Sequence, residues 1–169
     1  SLDSGQKSVR ELVTHFRCQM DTQGLQHALQ KLAQDFYERT DIPLEYINHV
    51  TDMALPLEHE LQVFLIVREA LVNIGSHSGA TAAHLTVDSS DGRYVIVVKD
   101  NGSGGCSNQP LEGHYGLMIM RERAQRIGAD GRLVCGDDGQ PVLATLAEKL
   151  AIIVLAKAGS LVPGGGLWL

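Results

Sequence analysis

The stretch 57–78 carries Leu57, Leu61, Phe64, Leu65, Leu71 and Val72 with no proline inside it, and its apolar residues fall on nearly every side of a 3.6-residue repeat. A helix of that kind has to be buried, and a long buried helix commits the chain to a layered fold with other elements packed around it. Pro56 suits the opening of the helix, where its fixed φ is already helical and a missing N–H costs nothing. Gly79 suits its end. Glu69, Asn73 and His77 recur every fourth residue, so each advances by about 40° and the three share one polar stripe. Polar groups aligned on a buried helix need partners, which can be nearby backbone or a ligand. His77 has a simpler role open to it, because the dipole favours histidine near a helix C-terminus. Arg68 falls in the middle of the apolar stripe on the same wheel, and needs a carboxylate or a path to water.

Amphipathic spacing predicts two helices before this one: residues 9–20, through Val9, Leu12, Val13, Phe16 and Met20, and residues 25–38, through Leu25, Leu29, Leu32 and Phe36, with Asp21 or Thr22 as the cap between them. A strand is expected within 42–50. Residues 82–88 and 94–99 are β-rich and read as a hairpin turning at Asp91-Gly92. Residues 101–113 read as a loop, 114–127 as a helix, and 132–135 and 142–146 as two short strands. These elements make an α/β (α+β) two-layer sandwich, one mixed β-sheet covered by helices on one face. Residues 147–169 are set apart as an apolar, glycine-containing tail, either a native extension, a partner-binding segment or foreign sequence.

The formal net charge is −6, from 14 Lys+Arg against 20 Asp+Glu, which argues against a nucleic-acid partner. Any phosphate the chain binds must be held by backbone amides, a few cations and a metal. The cysteines, Cys18, Cys106 and Cys135, are odd in number and widely spaced, fitting neither a disulfide framework nor a zinc site, so a reducing cytoplasmic setting is expected. No signal-peptide pattern opens the chain, and the apolar run 150–156 stops at Lys157, too short to cross a bilayer.

Two further patterns carry chemistry. Asp100-Asn101-Gly102-Ser103-Gly104-Gly105 follows the strand 95–99. A carboxylate at the end of a buried strand can accept a hydrogen bond from the exocyclic amine of adenine, and the glycines let backbone approach a ligand. By itself Asp-Asn-Gly is also an ordinary turn. Gly113-His114-Tyr115-Gly116-Leu117 then opens a helix whose free N–H groups and positive end suit phosphate oxygens. No Walker-type Gly-x-x-x-x-Gly-Lys-Ser/Thr stretch is present, which excludes the P-loop route to ATP.

In order and spacing these pieces resemble the ATP-binding superfamily shared by histidine kinases, gyrase, Hsp90 and MutL, with residues 69–80 matching its N box, 100–104 its first glycine box and 113–117 its second. Arg-Glu-Ala-Leu-Val-Asn at 68–73 and the run His114-Tyr115-Gly116-Leu117-Met118-Ile119-Met120-Arg121-Glu122-Arg123-Ala124 are similar to the nitrate/nitrite sensor kinases. Residues 9–17 resemble the segment joining the dimerisation helices to the catalytic domain in that group. The resemblance implies a Bergerat-type ATP-binding fold over residues 21–146, with 1–20 ending the dimerisation-helix and linker segment and 147–169 a tail of unassigned role. ATP and magnesium are the implied cofactors. Asn73 would be the side-chain ligand to magnesium and Glu69 the general base or water-positioning group. His77 would lie near the phosphates, Asp100 would read adenine, and Gly102 and Gly104 would line the base pocket. His114, Tyr115, Gly116 and Leu117 would meet the phosphates as a lid over 105–113 closes.

The implied activity is transfer of the ATP γ-phosphoryl group to a histidine on a separate dimerisation and phosphoacceptor domain, with a response regulator downstream. The parent would be anchored at the cytoplasmic face of the bacterial inner membrane. Two departures from the family pattern point to an alternative, a nucleotide-binding regulatory module without phosphotransfer. Ser76 stands where a Lys or Arg usually precedes the N-box histidine, and Gln140 stands in for the Thr that usually starts the last strand. The phosphoacceptor in this branch is a His followed by Asp. None of the seven histidines precedes an Asp, and His15 is followed by Phe16, so the chain is expected to bind ATP without phosphorylating itself.

Overall fold

The computed structural model describes residues 23–102, 115–128, 130–135, 141–146 and 150–156, with backbone only at 77, at 115–117 and from 130 onward. The helix expected over 9–20 lies outside these residues. Helix α1 (Gly24–Thr40) buries Leu25, Leu29, Leu32 and Phe36, the spacing of one amphipathic face. It stops at Asp41, which adopts a left-handed φ of 56° and donates its N–H to the Tyr37 carbonyl at 2.9 Å. Strand β1 (Leu44–Asn48) follows.

Helix α2 (Leu57–His77) begins at Pro56, whose carbonyl accepts the Glu60 N–H at 3.0 Å. Glu58 and Glu60 in its first turn complement the positive end of the helix dipole. Gly79, at φ 64°, turns the chain out of it. Strands β2 (Ala83–Ser90) and β3 (Arg93–Asp100) form the expected hairpin, and Asp91 and Gly92 take φ values of 50° and 75°. Positive φ at both central residues is what a two-residue turn with the twist of a β-ribbon demands. Helix α3 (Tyr115–Arg126) and strands β4 (Asp130–Cys135), β5 (Pro141–Leu146) and β6 (Leu150–Ala156) complete the described chain.

The six strands form one mixed sheet in the order β1-β2-β3-β6-β5-β4. β1 runs parallel to β2 and β3 parallel to β6, and the other neighbours are antiparallel. Along β2, Ala83, Leu85 and Val87 are buried while His84 and Asp88 are exposed, so one face of the hairpin meets the core. On that face lie Ile96 and Val98 of β3, packed with Val63, Ile66, Val67 and Leu71 of α2, Leu29 of α1 and Met120 and Ala124 of α3. A sheet carrying a layer of helices is the two-layer sandwich expected.

One element departs from expectation. β6 lies inside the stretch set apart as a tail, and it sits between β3 and β5. Its sequence, Leu-Ala-Ile-Ile-Val-Leu-Ala, is apolar at every position. An interior strand with a parallel neighbour takes such a continuous run, without the two-residue alternation that marks a half-exposed strand. The sheet therefore continues to Ala156, ten residues past the boundary drawn at Leu146.

A chain ending at Leu146 removes β6 and leaves β3 and β5 without their shared partner. Such a chain is expected to melt roughly 10 °C or more below the full chain, since each kcal/mol is worth about 2–4 °C at this size, or to lose its cooperative transition altogether. Circular dichroism melting of the two chains side by side checks this, and equal midpoints would contradict the placement of β6.

Candidate functional site

β3 delivers Asp100 to its C-terminal end on the core side, in step with Ile96 and Val98, and the residue is only 3% exposed. Its Oδ1 accepts the Gly102 N–H at 2.7 Å. Burial raises the Asp100 carboxyl above its ordinary value, and the hydrogen bond from Gly102 opposes part of that rise. A carboxylate held this way keeps an acceptor for a ligand donor in a place where water competes poorly.

Gly102 shows how closely two elements meet here. A Cβ built on it would stand 2.3 Å from the Ser78 carbonyl oxygen and 2.8 Å from the Ser78 Cβ. The obstruction includes backbone, so it cannot swing aside, and the residue must be glycine for reasons of space. Ser78 caps the C-terminal end of α2. Its hydroxyl donates to the Ile74 carbonyl at 2.7 Å and accepts the Ala80 N–H at 2.9 Å, and the residue is buried. The end of α2 and the turn after β3 are thus in direct contact.

Asn101 ties the same two elements together. Its Oδ1 accepts the N–H groups of Thr81 and Ala82 at 2.8 and 3.0 Å, and its Nδ2 donates to the Thr81 hydroxyl at 2.9 Å. Its own N–H donates to the Ala82 carbonyl at 3.2 Å. The sequence gives neither Ser78 nor Asn101 a role of its own, though both fall within the motifs quoted above. Their only sequence signal is an Asn after the strand-end Asp, a pattern shared with ordinary turns.

Glu69 and Asn73 are half-buried on α2. At 1.5 Å per residue Asn73 lies about 7.5 Å along the axis from Ser78, and Glu69 about 13.5 Å. Gln62 falls within about 20° of the same stripe. It is 5% exposed, and its Oε1 has no hydrogen-bond partner among the described residues. The helix is not buried all round, contrary to the sequence expectation. Arg68, Val72, Gly75 and Ser76 form an exposed strip, with Val72 44% exposed. Arg68 accordingly faces solvent and does not sit in the apolar stripe, where the wheel had put it by counting Val72 as core.

The second half of the expected site rests on α3, which packs against α2. Tyr115, Gly116 and Leu117 form its first turn, so their N–H groups have no intrahelical acceptor. Half-buried Arg123 of this helix has its guanidinium pushed below the usual range, first by burial and then by Arg126 and Arg68, with Glu69 and Glu122 acting in the opposite sense. Arg123 thus lies within electrostatic reach of Glu69, a neighbourhood not read from the sequence. The His77 side chain, Gly104, the 105–113 lid, His114 and Gln140 lie outside the described residues. The strand that Gln140 precedes is not a neighbour of β3. Asp100 pairs with Ala156 and Leu155 with Val142, so β6 separates the start of β5 from Asp100 by two strand spacings, about 9–10 Å.

Asp100 also bears on stability. It binds its proton more tightly in the folded than in the unfolded chain, so the folded state holds more protons between the ordinary carboxyl value and the raised one. Stability of the empty domain falls as pH rises through that window. Asp100→Asn keeps an oxygen for the Gly102 N–H and removes the buried charge. The variant is expected to melt no lower than the parent at pH 7 and to lose part of the pH dependence. A clearly lower midpoint at pH 7 would mean that the carboxylate stabilises the fold.

No family model matches the chain. Its sequence is similar to the nitrate/nitrite sensor protein NarX of Escherichia coli (strain K12), 31% identical over 150 residues that cover 88% of this chain and 25% of NarX. NarQ of the same organism is 33% identical over 129 residues, covering 76% of this chain and 23% of NarQ. The chain therefore spans about a quarter of the length of these curated relatives. Among solved structures, the ATP-binding domain of PrrB from Mycobacterium tuberculosis shares the fold with a TM-score of 0.51 at 22% identity, over 79% of this chain and 93% of that one. The chain is homologous to the sensor histidine kinases over that quarter of their length, and its fold is that of a histidine kinase ATP-binding domain.

Proposed function

We propose that this domain binds ATP between the C-terminal half of α2 and the end of β3, and transfers the γ-phosphoryl group to a histidine on a separate dimerisation and phosphoacceptor domain of the same kinase. The observation that carries the reading is the direct contact of Ser78 with Gly102, which brings the helix bearing Glu69 and Asn73 against the strand end bearing buried Asp100. Asp100 accepts the adenine amine, with Gly102 and Gly104 beside the base. The first turn of α3, with His114, Tyr115, Gly116 and Leu117, meets the phosphate oxygens through its unpaired N–H groups. His77 lies near the phosphates. Gln140, or a water, replaces the usual threonine contact. Glu69 orients or deprotonates the attacking group.

Asn73 supplies one neutral amide oxygen, which suits magnesium, an ion that keeps most of its waters and takes few protein ligands. Bound there, the metal would neutralise phosphate charge. Catalysis of phosphoryl transfer consists mostly of such positioning and charge stabilisation. The parent is a membrane-anchored sensor of the nitrate/nitrite type with its kinase part at the cytoplasmic face, signalling to a response regulator. Among the described residues no helix is long and apolar enough to cross a membrane.

A second reading is favoured by two observations. Ser76 puts an exposed hydroxyl where a phosphate cation usually stands, and β6 intervenes between Asp100 and the strand after Gln140. On that reading the domain binds nucleotide and regulates without transferring phosphate.

One pair of measurements separates the readings. Asp100→Asn is expected to weaken magnesium-ATP about 10- to 100-fold, the scale of one charge-assisted hydrogen bond; unchanged affinity would place the pocket elsewhere. Mixed with the parent's dimerisation helices and labelled ATP, the domain is expected to yield phosphohistidine, and Glu69→Gln and Asn73→Ala to suppress it. Tight nucleotide binding with no phosphohistidine at any ratio establishes the regulatory module.

A further inference from the structure

We propose that Asn101 is a positioning residue, with Ser78 as the surface it holds the strand end against, and that this clasp fixes the spacing between the adenine and phosphate halves of the pocket. The inference rests on the nucleotide site proposed above and adds to it residues that touch no ligand.

The side-chain hydrogen bonds of Asn101 are spent on one short segment. Two backbone N–H groups and one hydroxyl of residues 81 and 82 converge on its amide, and its main chain adds a fourth bond to Ala82. An amide occupied in this way has little left to offer a base. Thr81 and Ala82 follow Gly79, the residue that turns the chain out of α2, and Ala80 is held to Ser78 by its N–H. The path from Asn73 to Asp100 thus runs through Ser78, the Ala80 N–H, Thr81 and Asn101. The second contact on that path is the seat of Gly102 on the Ser78 carbonyl. Asp100 and Asn73 lie on different elements, and these two contacts set the relation between them.

The side chain of Asn101 is exposed, which makes the inference discriminating. Hydrogen bonds in contact with water contribute little to global stability, because water replaces them when they break. Their removal should therefore show less in melting than in any property that needs two elements at one exact distance. ATP is such a ligand, because it must engage Asp100 and the phosphate groups at once. Adenosine engages the base pocket alone. Loss of preorganisation weakens a ligand that bridges two subsites more than one that occupies a single subsite.

The test is to measure binding of magnesium-ATP and of adenosine to the chain and to its Asn101→Ala, Asn101→Asp and Thr81→Val variants, with melting and amide hydrogen exchange on the same samples. Asn101→Ala is expected to weaken ATP about tenfold or more and adenosine by less than about threefold, as loss of preorganisation predicts, while exchange at the Thr81 and Ala82 amides speeds up. Asn101→Asp keeps an acceptor for both N–H groups, and the Thr81 hydroxyl can reverse its role to donate, so this variant is expected to recover most of the ATP affinity. Thr81→Val, which removes one bond of the clasp, keeps the idea testable if Asn101→Ala folds poorly, and should shift ATP in the same direction by less. Equal losses for ATP and adenosine would make Asn101 a wall of the base pocket and overturn the proposal. So would unchanged ATP affinity with fast amide exchange. A parent chain that binds neither ligand refutes the nucleotide site itself, a different failure from these.

Discussion

A carbonyl oxygen at the end of one helix and a glycine without a side chain hold the two halves of the candidate site together. Because nothing larger than hydrogen fits between Ser78 and Gly102, the end of α2 and the turn after β3 stand at backbone distance. The long helix is buried on the side that presents Val63, Ile66 and Val67 to the sheet and exposed along Arg68, Val72, Gly75 and Ser76. Glu69 and Asn73 lie at the border between those two environments. That border lets a polar side chain be ordered by its neighbours and still meet a ligand from solvent.

The same region concentrates groups that a protein built only for stability would avoid. Asp100 is almost fully buried, and the rise in its carboxyl pKa shows that its ionised form is disfavoured there. Gln62 has a buried oxygen with no partner among the described residues, on the stripe of Glu69 and Asn73. Arg123 is half-buried with two other guanidiniums near it. Each of these costs stability and leaves the rest of the core apolar and close-packed, which is the distribution expected where a ligand completes the electrostatics.

Much of this was legible in the residues because the signals are local. Asp91-Gly92 requires positive φ and has it; Gly79 and Pro56 bound α2 at the expected places; the buried face of α1 follows its spacing. The misplacements have equally physical causes. The wheel took Val72 for core and so turned Arg68 inward, although a valine can stand 44% exposed at the edge of an apolar face. β6 was passed over because an interior strand has no alternation to detect, and its seven residues look the same whether they end a domain or fill its sheet. Asn101 and Ser78 could not be found by type, since what distinguishes them is which distant backbone groups they meet.

The position of β6 changes how the far wall of the site should be understood. The family pattern puts a threonine that helps bind adenine at the start of the last strand, and Gln140 stands at that position here. The strand that follows Gln140 is separated from β3 by the parallel strand β6, and on that side Asp100 pairs with Ala156. Since β6 runs parallel to β3, the two strands finish together, with Ala156 beside Asp100. Any group that supplements Asp100 on that side must then reach across the end of β6 or come through a bridging water. A buried carboxylate that accepts the Gly102 N–H is oriented by its own turn, whichever strand lies beside β3.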